Sequence, residues 1–451
     1  MSLRIYNTLT RKKEVFKTIK GKTVKFFCCG PTVYSHSHIG HGKTYTQFDV
    51  IVRYLRYRKY KVLYLQNITD IDDKIINRAK QENKTWKEIA DFYLNAYYEE
   101  MQKLGNTSID KYAKATDYIP QIISQVKRLI KKGYAYKISD GYYFDLSKDM
   151  DYGKLAGRTS LDTEDAVSRV DENPEKLNKG DFCLWKFYKH GDPFWETELG
   201  KGRPGWHIED TAITEKEFGV QYDVHGGARD LIFPHHEAEI AQMESISGEI
   251  PFVKYWIHAE FLNLNKEKMS KSLGNIIPIK EVLKRYDAKV LRYFYISSHY
   301  RSPISFDYEL LGQSKNSLQR LNDFMFSIKN GKDNYDASLI KKTREGFIKA
   351  MDNDFDTPKA LAVIFDFVRE VNKKRGGKKA YKLMLEFDKI FGILSLEEVS
   401  ISEGIEALIR KRENARKKKI FKLADSIREE LKRKGIIVED TEKGPVWKLI
   451  K

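Results

Sequence analysis

The chain has 451 residues and carries 81 Lys and Arg against 64 Asp and Glu, a formal charge of +17. Such a length suits two to four domains with a sizeable core, and the positive excess points to a polyanionic partner or simply to a basic, solvated surface. Three cysteines, Cys28, Cys29 and Cys183, exclude a disulfide-built scaffold. No apolar run reaches the ~20 residues of a membrane span and the polar opening MSLRIYNTLTRKKE lacks a signal-peptide core; a cytoplasmic protein without a membrane partner is expected.

In chain order, residues 22–29 (KTVKFFCC) predict a buried strand closed by Gly30-Pro31, and a helical pattern runs from about Ile39 to Lys59. Residues 61–68 (KVLYLQNI) predict a second strand, making a parallel βαβ unit. Helical periodicity is expected from about Lys74 to Lys132. Residues 133–200 change character: short aromatic strands such as Tyr142-Tyr143-Phe144 alternate with Gly, Asp and Pro turns, as in an insertion. From Gly205 the α/β pattern resumes, with a helix at 207–218, a strand at 221–224, a helix at 235–246 and a strand near 254–262. Residues 307–395 read as helical almost throughout, which predicts a bundle. Residues 404–451 hold 15 Lys and Arg against 8 Asp and Glu. There Ile420, Leu423, Ala424, Ile427 and Leu431 share a helical face ending at Gly435, before a hairpin of Ile436-Ile437-Val438 and Val446-Trp447.

The predicted fold class is thus α/β, a Rossmann-type doubly wound parallel sheet with a connective insertion, followed by an α-helical bundle and a small basic C-terminal domain. The expected boundaries are 1–132 and 201–306 for the two halves of the catalytic domain and 133–200 for the insertion. The bundle is expected at 307–400 and the separable basic unit at 404–451.

Two signatures carry chemistry. His38-Ile39-Gly40-His41 follows the first strand and Lys268-Met269-Ser270-Lys271-Ser272 follows the last. Either alone is moderate evidence; together and in this order they point to attack of a carboxylate on the α-phosphate of ATP. Gly40 and Gly42 are expected to let backbone approach the nucleotide, and the following helix to point its N-terminal amides at the anion. His38 and His41 would donate to phosphate oxygens, while Lys268 and Lys271 would stabilise charge growing in the transition state.

With these signatures the chain resembles the class I aminoacyl-tRNA synthetases, and more closely the cysteinyl-tRNA synthetases. The stretches that carry the likeness include Cys29-Gly30-Pro31-Thr32-Val33-Tyr34, Asn67-Ile68-Thr69-Asp70-Ile71-Asp72-Asp73-Lys74, Gly205-Trp206-His207-Ile208-Glu209, His225-Gly226-Gly227, Phe233-Pro234-His235-His236-Glu237 and Asp354-Phe355-Asp356-Thr357-Pro358. The resemblance implies activation of L-cysteine by ATP, which arrives with magnesium. It then implies transfer of the cysteinyl group to the terminal ribose of tRNA(Cys), with the 307–400 bundle as a tRNA stem contact and the 404–451 unit as an anticodon-binding domain. It also implies one zinc per chain that takes the substrate thiolate. The logic is physical: serine differs from cysteine by one atom, a shape-only pocket separates such pairs weakly, and zinc prefers the soft thiolate.

Carried over residue by residue, the zinc ligands are Cys29, position 210, His235 and Glu239. The last two stand i, i+4 on a predicted helix and share one face; alone, that pair reads more readily as a surface or capping pair than as metal ligands. Position 210 departs from the family, having Asp210 where a cysteine is expected. A carboxylate keeps the ligand charge but hardens the site. Three outcomes stand open: zinc held with Asp210, zinc held without it, or metal lost with altered amino-acid choice. Gly30 and Thr69 would hold the substrate backbone and amine, and Trp206 would wall its side chain. His207, His225 and His258 read equally as pocket residues or satisfied core histidines, and Cys28 and Cys183 as packed thiols. Asp70, Asp72 and Asp73 read as loop organisers.

Trp447 reads as an anticodon-stacking or a packing residue, with Asp440 beside it as a hydrogen-bonding partner for unpaired bases. The rival enzyme reading is an ATP-dependent ligase joining an amino acid to a small amine. A non-catalytic paralogue is the third reading, against which both intact signatures argue. A monomer is expected.

Overall fold

A hairpin of β1 (Arg4–Asn7) and β2 (Lys12–Val15) precedes the first parallel unit of β3 (Thr23–Cys28), α1 (Ile39–Tyr57) and β4 (Lys61–Ile68). In this computed structural model residues 2–157, 173–264, 267–268, 276–329, 331–335, 337–374, 377–395, 403–441 and 444–449 are described. β3 and β4 run parallel with Thr23 opposite Lys61 and Cys28 opposite Gln66. Next come α2 (Asp73–Glu82), capped by Asp72, and α3 (Trp86–Lys103), opened by a capping box between Thr85 and Glu88.

The stretch expected to be helical to Lys132 is broken by β5 (Lys111–Lys114), a sheet-edge strand parallel to β4, before α4 (Ile119–Lys131). Its sequence KYAK is short and carries lysines at both ends, as unprotected edges often do, so no apolar period announces it. The insertion is a four-stranded antiparallel sheet of β6 (Ala135–Ile138), β7 (Gly141–Phe144), β8 (Phe182–Phe187) and β9 (Gly202–Pro204).

α5 (Trp206–Phe218), β10 (Tyr222–Ala228), α6 (Glu237–Ser247) and β11 (Val253–Ala259) return the chain to the central sheet. Its order is β11-β10-β3-β4-β5, all parallel. The order reverses between β3 and β10, which opens a crevice beyond the carboxyl ends of those two strands, where open α/β sheets bind ligands. Strand alternation sorts the core: Phe26 and Cys28 lie in one buried cluster with Phe48 and Tyr295, Phe27 and Cys29 in another with Ile208, Ala241 and Trp256. Each such phenylalanine contributes roughly 1.5–3 kcal/mol by burial, and a one-residue slip would reverse every one of them.

β12 (Leu262–Leu264), β13 (Glu267–Lys268), α7 (Ile279–Leu283), α8 (Ala288–Ile296) and β14 (Ile304–Phe306) follow, with β12 pairing both β13 and β14. Four helices then form the bundle, α9 (Tyr308–Ile328), α10 (Ala337–Met351), α11 (Thr357–Lys374) and α12 (Lys378–Phe391). Phe347 stacks on Phe387 at 4.1 Å and joins the same buried cluster as Phe26.

Residues 1–394 form one compact unit and 395–451 a second. The second has α13 (Glu403–Lys417), α14 (Phe421–Arg433) and a hairpin of β15 (Ile436–Thr441) and β16 (Gly444–Leu449), with Trp447 opposite Val438. Its own core is Ile409, Ile427, Leu431, Ile436 and Val438. Gly435 takes φ +78° after α14, the left-handed turn expected there. Among the described residues no helix is long and apolar enough to cross a membrane.

Candidate active site and metal cluster

Cys29 leaves the end of β3 with its amide bonded to the Gly226 carbonyl of β10 at 3.0 Å, which fixes it at the crevice. The next residue must be glycine: a Cβ on Gly30 would stand 1.8 Å from the Asn67 carbonyl oxygen. α5 brings Asp210, β10 brings His225, and the turn into α6 brings His235 and His236, with Glu239 in the first turn of that helix. All six side chains are buried.

Around the Cys29 Sγ lie His236 Nε2 at 3.1 Å, His225 Nε2 at 3.2 Å and Asp210 Oδ2 at 3.3 Å. His235 Nε2 is 3.2 Å from Asp210 Oδ2 and 3.1 Å from Glu239 Oε1. Two sets of donor atoms therefore fall within 4.8 Å of one another: Cys29, Asp210, His235 and Glu239, and Cys29, His225, His236 and Glu239. Tetrahedral zinc, with bonds of about 2.0–2.3 Å, needs donors roughly 3.3–3.8 Å apart, so a small contraction or expansion of either set would serve.

The outward nitrogens are anchored in turn. His225 Nδ1 meets the Tyr222 hydroxyl at 2.7 Å, His235 Nδ1 meets His207 Nδ1 at 2.8 Å, and His236 Nδ1 meets His258 Nε2 at 2.8 Å. His258 Nδ1 in turn meets the Thr8 hydroxyl at 2.8 Å. His225 and His236 are thus oriented with Nε2 toward the thiol and His235 with Nε2 toward Asp210 and Glu239, the arrangement second partners impose on metal-ligating histidines.

The electrostatics also suit a cation. Burial pushes the Cys29 thiol well up, and the charges of Asp210 and Glu239 add to this. Glu239 rises for the same reasons, burial first and Asp210 second. Burial pushes His207, His225 and His236 down, and His258 to about 3, so these rings are neutral. Asp210 Oδ1 and both Glu239 oxygens are buried without a well-formed hydrogen bond. Acids gathered in a dry pocket with orphaned oxygens and neutral imidazoles form the donor set of a divalent metal.

The four expected ligands come together, with Asp210 inside the cluster. Trp206, 38% exposed, stacks on His235 at 4.2 Å and closes the outer side of that ring. The Thr69 hydroxyl donates to Glu209 Oε2 at 2.9 Å, so a buried carboxylate stands behind it. Sequence reasoning missed His236; the only signal was its place next to His235, which a helix-face argument discards. Asp72 caps α2, and Asp70 accepts from the Thr116 amide and hydroxyl, organising their loops as expected.

At the first signature one expectation is corrected. The amides of the first turn of α1 are already used: Ile39 donates to the Ile277 carbonyl, Gly40 and His41 to His38 Nδ1 at 3.1 and 3.3 Å, and Gly42 to the His38 carbonyl. The capping side chain competes for the donors that an anion would need. Because its Nδ1 accepts, His38 carries its ring proton on Nε2. Gly42 is required by packing, since a Cβ there would meet the Tyr295 hydroxyl at 2.6 Å. His38 and His41 stack at 3.7 Å. Only the backbone of Lys268 is described, in β13, and Lys271 lies outside the described residues. Beyond that signature the chain is bound back to the first one, Ile279 donating to the Ser37 carbonyl at 2.9 Å.

Residues 15–316 match the family of class I (C) tRNA synthetase catalytic domains, residues 346–396 the DALR domain, and residues 399–447 the cysteinyl-tRNA ligase anticodon-binding domain. A cysteine–tRNA ligase of Thermodesulfovibrio yellowstonii is 44% identical, covering 99% of each chain. Another of Thermoplasma acidophilum is 45% identical over 99% of this chain and all of that one. Among solved structures, Mycobacterium tuberculosis methionyl-tRNA synthetase with methionyl-adenylate superposes with a TM-score of 0.60, covering 82% of this chain and 90% of that one. At 15% identity it is similar in fold alone.

Proposed function

This chain belongs to the class I cysteine–tRNA ligases, and we propose that the cluster around Cys29 is where it tells cysteine from serine. The enzyme activates cysteine with ATP and transfers the cysteinyl group to the 3′-terminal ribose of tRNA. In our reading zinc is held by Cys29, Asp210, His235 and Glu239, with His225 and His236 oriented beside it. Bound there, zinc supplies one soft position that a thiolate fills and a hydroxyl fills poorly. Trp206 walls that position, Gly30 holds the substrate backbone, and Thr69, backed by Glu209, receives the substrate amine. His38 donates through Nε2, with His41 stacked on it, to the phosphates of ATP, which arrives with magnesium. Lys268 and Lys271 stabilise the charge that grows as pyrophosphate leaves. The enzyme acts as a cytoplasmic monomer.

The observation that carries this reading is the set of orphaned carboxylate oxygens around a single buried thiol. Cysteine-dependent exchange of pyrophosphate into ATP tests it. Cysteine is expected to support exchange at least a hundredfold better than serine; equal rates with both would sink the assignment. The matched anticodon-binding domain at 399–447 weighs against a ligase acting on a small amine.

A further inference from the structure

We propose that Lys43 is a positioning residue for ATP, its ammonium pinning the strands that lead to the second signature onto the helix that carries the first. The proposal rests on the reading above that the two signatures hold the nucleotide. Lys43 follows His41 by two residues on α1 and is 0% exposed. Its Nζ donates to three backbone carbonyls, those of Glu260 at 2.6 Å, Ser302 at 3.3 Å and Tyr300 at 3.5 Å.

The three acceptors sit where two strands of the small sheet begin. Glu260 stands two residues before β12 and Ser302 two residues before β14, and these strands pair in parallel from Leu262 opposite Ile304. Backbone bonds join the two approaches as well, the Glu260 amide to the Tyr300 carbonyl at 2.8 Å and the Ile304 amide to the Phe261 carbonyl at 3.2 Å. β12 then pairs with β13, Asn263 lying opposite Lys268. One cation on the first-signature helix therefore sets the root of the strands from which Lys268 hangs.

Packing alone does not ask for a lysine here. Among the described residues Lys43 makes no ion pair, and the Glu260 carboxylate is taken by Arg229. Burying an ammonium without a counter-ion is unfavourable, and a methionine would fill a similar volume without that penalty. What the ammonium adds is three donors for three carbonyls. Burial lowers its pKa to about 7, the Glu260 charge working against this. Near neutral pH one donor is therefore lost as pH rises, since a neutral amine keeps only two. Of the titratable and charged groups around it, Tyr300 and Arg301 turn to Asp354, and burial keeps His299 and Tyr295 neutral above about pH 7. His38 and His41, on and beside the same helix, are common to every variant below. Stability has the opposite sign: between about pH 7 and the ordinary lysine range the unfolded chain binds the extra proton. Folding thus gains as pH rises, while the hold on β12 and β14 weakens.

Cysteine-dependent pyrophosphate exchange from about pH 6 to about pH 9 tests this in the full-length enzyme. In the parent, KM for ATP is expected to rise about threefold or more across that range, the effect of one hydrogen bond. Lys43→Met should hold KM for ATP at or above the parent's high-pH value throughout, with KM for cysteine equal to the parent's at each pH. Lys43→Arg, whose guanidinium stays charged, should restore the low KM and abolish the rise. Thermal melts establish that each variant folds, and the parent's own profile is a test that needs neither. A flat KM for ATP in the parent, a rise kept by either folded variant, or KM for ATP and cysteine shifted together in Lys43→Met would each overturn the proposal. If His38→Ala and Lys271→Ala leave KM for ATP unchanged, the reading of the two signatures beneath it fails instead.

Discussion

Asp210 brings a carboxylate within 3.3 Å of the Cys29 thiol and 3.2 Å of His235, in a pocket that already holds Glu239. Without a cation these acids repel one another, which is why burial and Asp210 together keep Cys29 and Glu239 protonated. Asp210→Asn should therefore melt higher than the parent when both are metal-free, by about 1 kcal/mol or more. On adding zinc the order should reverse, with the parent gaining more. Thermal melts with and without zinc, alongside metal analysis, check both signs; a variant that keeps a full equivalent of zinc would show that Asp210 is no ligand. Cys29, His235 and Glu239 were legible through the family resemblance, to which a strand end and an i, i+4 spacing add only weak support. His236 and the anchoring pairs were not: His207 with His235 and His236 with His258 join residues far apart in the chain, and Tyr222 with His225 joins two positions of one strand that simple alternation puts on opposite faces.

Among the elements, the turn between α10 and α11 bears a cost that points to a task. Asp354 and Phe355 both take left-handed backbone, φ +67° and +55°, at about 1–3 kcal/mol each. The turn holds the Asp354 carboxylate where it accepts from the Tyr6 amide at 2.8 Å, the Tyr300 hydroxyl at 2.7 Å and Arg301 Nε at 2.8 Å. β14 begins three residues after Arg301 and pairs with β12, which pairs with β13 and so carries Lys268. Asp354→Ala should destabilise the fold by about 2–4 kcal/mol, since Arg301 loses its buried partner. It should also raise KM for ATP in exchange while leaving the affinity for cysteine unchanged. Denaturant melts and exchange kinetics measure the two; a change confined to stability would leave Asp354 with no part in placing the second signature. Most elements were legible from periodicity, the long helices and the core strands above all. β5 was hidden by its two lysines, and the use of the α1 amides by a capping histidine whose ring competes with any anion.

For the molecule as a whole, two cores divide the labour: residues 1–394 carry the crevice and 395–451 stand on Ile409, Ile427, Leu431, Ile436 and Val438. A chain ending at residue 394 is expected to keep cysteine-dependent exchange within about twofold, while KM for tRNA rises tenfold or more and its salt dependence becomes shallower, because 15 Lys and Arg are removed. Exchange lost with the truncation would mean that the two units fold as one. This division was legible from composition and the shift to a basic helix and hairpin. The path of the insertion sheet against α2, through Lys186 and Arg203 on Asp73, needs the fold itself. The single sulfur of the cluster has one more effect. All three cysteines are buried and unbridged, and Cys28, though adjacent, faces the opposite core. A site with two thiolates that loses its metal in oxidising surroundings can close as a disulfide, which must be reduced before metal returns. With a carboxylate in the second place that bridge cannot form: oxidation of the emptied site makes the sulfenic acid of Cys29, which a small thiol can reverse but which further oxidant carries to the irreversible sulfinic acid.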